Sequence, residues 1–172
     1  GASSISFSDG RWDNAGQESF LSGAFTPANS WAIGTAITGA NVDHGNTINA
    51  VAWSPNNNYL AVGGKGGTEA YEIKIYSWNG TTLSLIPGSK QQYHPSSSDY
   101  PVQALSWHPS GNYLAAGGAY SGSDVKLRIF SWDNTTLSQV SGCQLATNNT
   151  VYSIDWHPTG NYLAIGGYEV SN

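Results

Sequence analysis

Methionine is absent from this 172-residue chain, even at position 1, and cysteine occurs once. The missing initiator reads as a processed or excised product. A lone Cys143 excludes an intrachain disulfide and a cysteine-type metal cluster; its expected place is a loop or strand end, as a small half-buried hydrophobe. Charge is also scarce, at 10% of residues where an ordinary soluble domain carries about 25%. Six Lys and Arg are present, with Lys65, Lys74, Lys90, Lys126 and Arg128 scattered, and the formal net charge is −5. Binding phosphate backbones needs clustered cations, so the composition argues against nucleic acid as a partner. No apolar run approaches the roughly 18 residues of a membrane-spanning helix.

What is abundant points to short strands and turns. Hydrophobic residues make up 39%, with seven Trp, ten Tyr and 21 Gly among many Ser, Thr and Asn. This is enough to bury a core and favours tight turns over long helices. The phrase "WSPNNNYLAVGG" at 53–64 returns as "WHPSGNYLAAGG" at 107–118 and as "WHPTGNYLAIGG" at 156–167. Trp53, Trp107 and Trp156 are spaced by 54 and 49 residues, and Trp78 to Trp132 is again 54. Repeats near this length mark propeller blades and related arrays.

Inside one unit, "INAVAW", "VQALSW" and "VYSIDW" alternate apolar with small or polar residues, which reads as a strand. Ser-Pro or His-Pro follows, with Pro suited to position i+1 of a turn, and a second strand ends in paired glycines. "AYEIKIYSW" (70–78) and "DVKLRIFSW" (124–132) read as third strands; "NGTTLSLI" (79–86) and "DNTTLSQV" (133–140) read as fourth strands. Asn79-Gly80 suits a primed two-residue hairpin turn. The expected fold class is all-β, with four-stranded antiparallel sheets as propeller blades. About two and a half blades follow an N-terminal β-rich segment. Residues 1–43 form that segment, 44–101 the first blade with a long connecting loop, 102–150 the second, and 151–172 the first hairpin of a truncated third.

Residues 44–172 resemble the WD-repeat β-propeller family. The resemblance rests on an aromatic-Ser/His-Pro turn followed by "Leu-Ala-x-Gly", on His44 nine residues before Trp53, and on Asp124 six before Phe130. It implies that His44 and Asp124 are members of a buried structural tetrad, with Phe130 and Tyr76 at the position of the name-giving Trp. The tetrad is incomplete: Ser98 and Thr147 replace His, Ala70 replaces Asp, and Gly replaces the strand Ser or Thr. Propellers of this family close as rings of blades. That leaves three expectations: a fragment of a longer propeller, completion in trans by copies or another chain, or closure by residues 1–43.

No catalytic set, metal site or cofactor is expected. His108 and His157 recur before Pro in equivalent turns, which marks them as structural. His94 near Ser96–Ser98 and Asp99 mimics a triad only in sequence, since neighbours on one loop cannot build that geometry. "GGKGG" (63–67) lacks the Ser/Thr and helix of a phosphate loop. Trp53, Trp107 and Trp156 fall in period with the blade core. Trp12, Trp31, Trp78 and Trp132 are candidate surface contacts. Asn79, Asn134 and Asn148 head three glycosylation sequons, equally explained as turn and strand residues. The expected function is a non-enzymatic scaffold that binds a protein partner or copies of itself, with a glycan possible. The expected setting is extracellular, with the cytoplasm as alternative. A lectin-like module is the runner-up and a propeller enzyme the third reading.

Overall fold

The computed structural model describes residues 37, 40–67, 69–94, 100–119, 125–146 and 150–168. The N-terminal segment expected to complete a blade therefore lies almost wholly outside the described residues. The rest is all β but for one 3₁₀ turn, Pro87–Ser89. The first sheet holds β1 (Ile48–Trp53), β2 (Tyr59–Gly64), β3 (Ile73–Trp78) and β4 (Leu83–Leu85), hydrogen-bonded in chain order. The second holds β5 (Val102–Trp107), β6 (Tyr113–Gly118), β7 (Val125–Trp132) and β8 (Leu137–Ala146) in the same order. The third pairs β9 (Thr150–Trp156) with β10 (Leu163–Tyr168). All pairings are antiparallel, and the sheets form an open arc rather than a closed ring among the described residues.

Proline shapes the first hairpin of each sheet. In each turn the residue three after the Ser or His donates back to its carbonyl, at 2.9 Å from Asn57, 2.8 Å from Gly111 and 2.8 Å from Gly160. Pro55, Pro109 and Pro158 sit at the second position, where their fixed φ belongs. Asn57, Gly111 and Gly160 then take φ of 61°, 75° and 77°. That left-handed step returns the chain to the ladder, and Gly accepts it without strain.

The first strands depart from simple alternation. The apolar set 48, 51, 53 recurs as 102, 105, 107 and as 151, 154, 156, with a first interval of three. The register shifts between Ile48 and Ala50, again between Val102 and Ala104, and opposite Gly166 and Gly167 on β10. One extra residue, a β-bulge, rotates the strand so that positions three apart share one face. That face meets the preceding sheet. A Cβ added to Gly63 would lie 2.7 Å from Val102 Cγ1 and 2.9 Å from Leu105 Cδ1. At Gly117 it would meet Val151 Cγ1 at 2.5 Å and Ile154 Cδ1 at 2.8 Å. Trp107 seals the first junction: its indole N–H donates to the Ala52 carbonyl (3.0 Å), and its ring meets Trp132 edge-on at 6.3 Å. The main core, including Ala61, Ile73, Ile75, Leu114 and Phe130, lies between these two sheets.

Four expectations need correction. Trp53 does not share the burial of its counterparts: it is 50% exposed, while Trp107 is 6% exposed and Trp156 is half-buried. This position packs onto the sheet before it, and β1 has no such sheet among the described residues. The Asn79-Gly80 turn is a four-residue loop, not a two-residue one, because β3 and β4 pair from Trp78–Leu83. Asn79 Oδ1 accepts the Thr81 and Thr82 amides at 3.0 and 2.8 Å, and that side-chain cap replaces the primed turn. β4 is three residues long because Ser89 and Gln91 take over the outer hydrogen bonds of Ile75 and Ile73. Cys143 is exposed, since it lies on the outermost strand β8, which extends to Ala146.

The glycine contacts predict an asymmetric pair of variants. Gly117→Ala should cost about 1–3 kcal/mol through overpacking. Gly166→Ala meets only the Ser153 hydroxyl, which can rotate, and should cost less than about 0.5 kcal/mol. Urea unfolding midpoints of the two proteins check this.

Candidate functional site

Two of the exposed large apolar side chains, Val51 and Trp53, lie side by side on β1. Val51 is 45% exposed beside the half-exposed Trp53. Trp78, half-buried, holds Trp53 edge-on at 6.0 Å with planes at 65°. Beneath them Leu60, Val62 and Tyr76 are buried, with Val42, Ile48 and Leu83 packed against them. Leu114, Ala116 and Phe130 are the counterparts of those three buried residues in the second sheet, where they face the first. The β1 face thus has the chemistry of an interface between sheets, with no sheet against it among the described residues.

A second cluster lies at the entry to β1. His44 is buried, as the tetrad analogy implies, but neither ring nitrogen has a hydrogen-bond partner among the described residues. Its expected acceptors are replaced: Ala70 stands where the Asp belongs, with φ at 57°. The His44 carbonyl accepts from Lys74 Nζ (2.9 Å), which also lies 3.8 Å from Glu69 Oε2; Lys90 pairs with that oxygen at 2.7 Å. A cleft of about 310 Å³ opens between Asp43, His44, Glu69, Lys74 and Lys90. Two cations face two carboxylates, so the cleft offers no net charge to an ionic ligand.

Burial pushes the His44 imidazole below its ordinary pKa, helped by the Lys74 cation. Glu72 moves up, also through burial, although its carboxylate accepts the Tyr93 amide at 2.8 Å. Tyr93 is itself fully buried and donates its hydroxyl to the Lys126 carbonyl (2.6 Å). The chain Glu72–Tyr93–Lys126 therefore clamps the connecting loop to both sheets. Nothing in the loop's composition had marked Tyr93 as core. Its only signal is an aromatic residue within a polar stretch.

The other candidates separate. Trp132 is no surface contact: it is 4% exposed, covered by Trp107 and by Tyr59 at 5.3 Å. Its strand ends inside the junction of the two sheets rather than at the rim. Asn79 and Asn134 are both exposed but do not occupy the same step. Asp133 caps the second loop as Asn79 caps the first, and Asn134 takes the left-handed place of Gly80, with φ at 76° and 96° respectively. His108 Nδ1 accepts the Ser110 amide (3.0 Å), so its Nε2–H donates to the Gly160 carbonyl (3.1 Å) of the next sheet. His94 is buried against Tyr100 at 6.1 Å between ring centroids. Trp12, Trp31, Asp124 and Asn148 lie outside the described residues, as do Ser96 to Asp99.

Residues 31–167 match the family described as eukaryotic translation initiation factor eIF2A. No curated protein matches the chain. Among solved structures, a chain of the mitotic checkpoint complex is similar with a TM-score of 0.53 and 21% identity, over 72% of this chain and 35% of that one. A 6-phosphogluconolactonase candidate from Bacteroides uniformis gives 0.57 and 18%, over 72% and 34%. The Swd1 β-propeller domain of Myceliophteria thermophila gives 0.49 and 19%, over 71% and 37%. The chain spans about a third of the length of these solved chains. Identities this low speak to fold alone, and the fold is a β-propeller of WD-repeat type.

The His44 shift generates a pH prediction. Its folded pKa lies below the unfolded value near 6.5. The unfolded chain therefore takes up the proton first, and stability falls as pH drops through 6.5 toward the folded value. Glu72 runs the other way, because protonation relieves its burial. In a His44→Leu variant the acid loss should shrink. The stability gap between the two proteins, measured by urea titration at stepped pH, should then change in the variant's favour below pH 6.5.

Proposed function

Because the chain belongs to the eukaryotic translation initiation factor eIF2A family, which matches residues 31–167, we propose that it is a non-enzymatic, protein-binding module of translation initiation complexes. The observation that carries this reading is the rim of β1, where Val51 and Trp53 expose side chains whose counterparts Leu105 and Trp107 are buried between the first two sheets. Large aromatic residues on such a rim are the groups that anchor protein interfaces.

Charge supports a protein partner over RNA. Of the basic residues, Lys74, Lys126 and Arg128 are buried, and Lys90 is held by Glu69. What remains is too little to neutralise a phosphate backbone. A cytosolic setting is the one this reading needs, and Asn79 and Asn134 then serve as turn residues. The burial of Trp132 removes one support of the lectin-like alternative. The likeness to a 6-phosphogluconolactonase candidate is a likeness of fold.

A gradient experiment tests the proposal. The tagged chain should co-sediment with initiation complexes in translating extract, and Trp53→Lys should move most of it to the top fractions. Raising salt should release little of the wild type, because the contact is apolar rather than ionic. Steep release by salt, or retention of the Trp53→Lys protein, contradicts the reading.

A further inference from the structure

The sequence contains one Asn-Gly pair, Asn79-Gly80, and the fold places it in the loop between β3 and β4, with Asn79, Gly80 and Thr81 all exposed. Asn79 Oδ1 accepts four donors: the Thr81 and Thr82 amides at 3.0 and 2.8 Å, and both threonine hydroxyls at 3.0 Å. Bonding amides two and three residues on folds the side chain back across the Gly80 peptide. The same donors draw electron density from the side-chain carbonyl carbon, Cγ, and are in place to hold a negative oxygen there. Gly80, at φ 96°, commits its own amide to no acceptor among the described residues. It has no side chain to screen that nitrogen, and a Cβ there would meet nothing within 4 Å among the described residues.

Electrophile, nucleophile and charge acceptor thus sit in one short loop. We propose that Asn79 is a self-modification site, at which the Gly80 nitrogen drives conversion of the side-chain amide to a carboxylate without an enzyme. The Gly80 nitrogen gives up its proton and bonds to Asn79 Cγ, and the Cγ–Nδ2 bond breaks. Nδ2 leaves as ammonia, taking up a proton in exchange, and a five-membered imide remains. Water then reopens the ring. Attack at Cγ breaks the new bond to the Gly80 nitrogen and returns an ordinary aspartate in an intact main chain. Attack at the backbone carbonyl breaks the original peptide bond and leaves the chain routed through the side chain. The donors on Oδ1 polarise Cγ in both steps, so they direct water to Cγ and favour the ordinary aspartate. Water is consumed, ammonia is released, and nothing is oxidised or reduced.

The second sheet already holds the product. Asp133 occupies the same step of the loop between β7 and β8, where its Oδ1 accepts the Thr135 and Thr136 amides at 2.9 and 2.6 Å and the Thr135 hydroxyl at 2.7 Å. Those bonds, the Thr135 hydroxyl foremost, hold its carboxyl below the ordinary pKa. An ionised acceptor makes the stronger bonds, so conversion of Asn79 tightens the first loop and adds one negative charge to it. Asn134 lacks the chemistry, because it precedes a β-branched threonine whose amide is already given to Asp133. The reaction needs no partner and proceeds whether or not the Trp53 rim binds one.

Purified protein held at mildly alkaline pH, folded in buffer or unfolded in guanidinium chloride, supplies the comparison. Peptide mass spectrometry with electron-transfer fragmentation measures Asn79, aspartate and the rerouted isomer. The folded chain should convert faster than the unfolded one, with a smaller share of the rerouted isomer. Thr81→Val combined with Thr82→Val removes the two hydroxyl donors and keeps both amides, and should slow conversion roughly two- to tenfold per hydroxyl. If the paired variant fails to fold, Thr82→Val alone replaces it. Asn79→Asp should fold with a urea midpoint at or above that of the wild type. The proposal is overturned by folded conversion no faster than unfolded, or by an isomer ratio equal in the two states. A valine variant that converts at the wild-type rate, or an Asn79→Asp midpoint below the wild type, overturns it as well.

Discussion

Everything in this arc depends on how closely one sheet's first strand can approach the second strand of the sheet before it. At Gly63 and Gly117 the gap holds no Cβ, because the methyl groups of Val102 and Leu105, or of Val151 and Ile154, already occupy it. Close-packed interiors transmit such a constraint, since a single added carbon must displace its neighbours. Three further features follow from it. The bulge is needed so that two apolar residues three apart aim at one glycine. The tryptophan two positions on fills the space beyond it; at the first junction the N–H of Trp107 meets the Ala52 carbonyl, while Trp156 Nε1 finds no partner among the described residues. At the second junction the His108 turn then reaches across to Gly160 of the next turn.

Polar groups are arranged around that apolar seam rather than within it. The connecting loop after β4 crosses from one sheet to the next, and its backbone needs partners away from water. Glu72 accepts one amide, Ser89 bonds both backbone groups of Ile75, and Tyr93 reaches a carbonyl of β7. His44 shows the cost of an incomplete set: its imidazole is buried without the side-chain acceptor a full tetrad would supply among the described residues. Burial disfavours the charged form, and this makes the site sensitive to acid.

Much of the architecture was legible before any coordinates. The thrice-repeated phrase gave hairpins with Pro at the second turn position, and the Trp78–Trp132 spacing matched third strands of successive sheets. The candidate surface was less legible. Trp53 and Trp107 sit in nearly identical words, yet one is buried and the other half-exposed, because the difference lies in what stands beside them. Trp132 looked like a strand-end surface residue and is covered by groups 25 and 73 residues away in the chain, Trp107 and Tyr59. Tyr93 carried no periodicity at all, and long-range contacts alone bury it.

Local physics, then, was already decided by the order of amino acids. Proline fixes φ, glycine accepts the left-handed step, and alternation with a bulge sets which face is apolar; each acts over a few residues and repeats wherever the words repeat. Exposure was decided only by assembly of the sheets. A strand's apolar face is buried or bare according to whether another sheet lies against it, and that neighbour is a property of the arc, not of the strand.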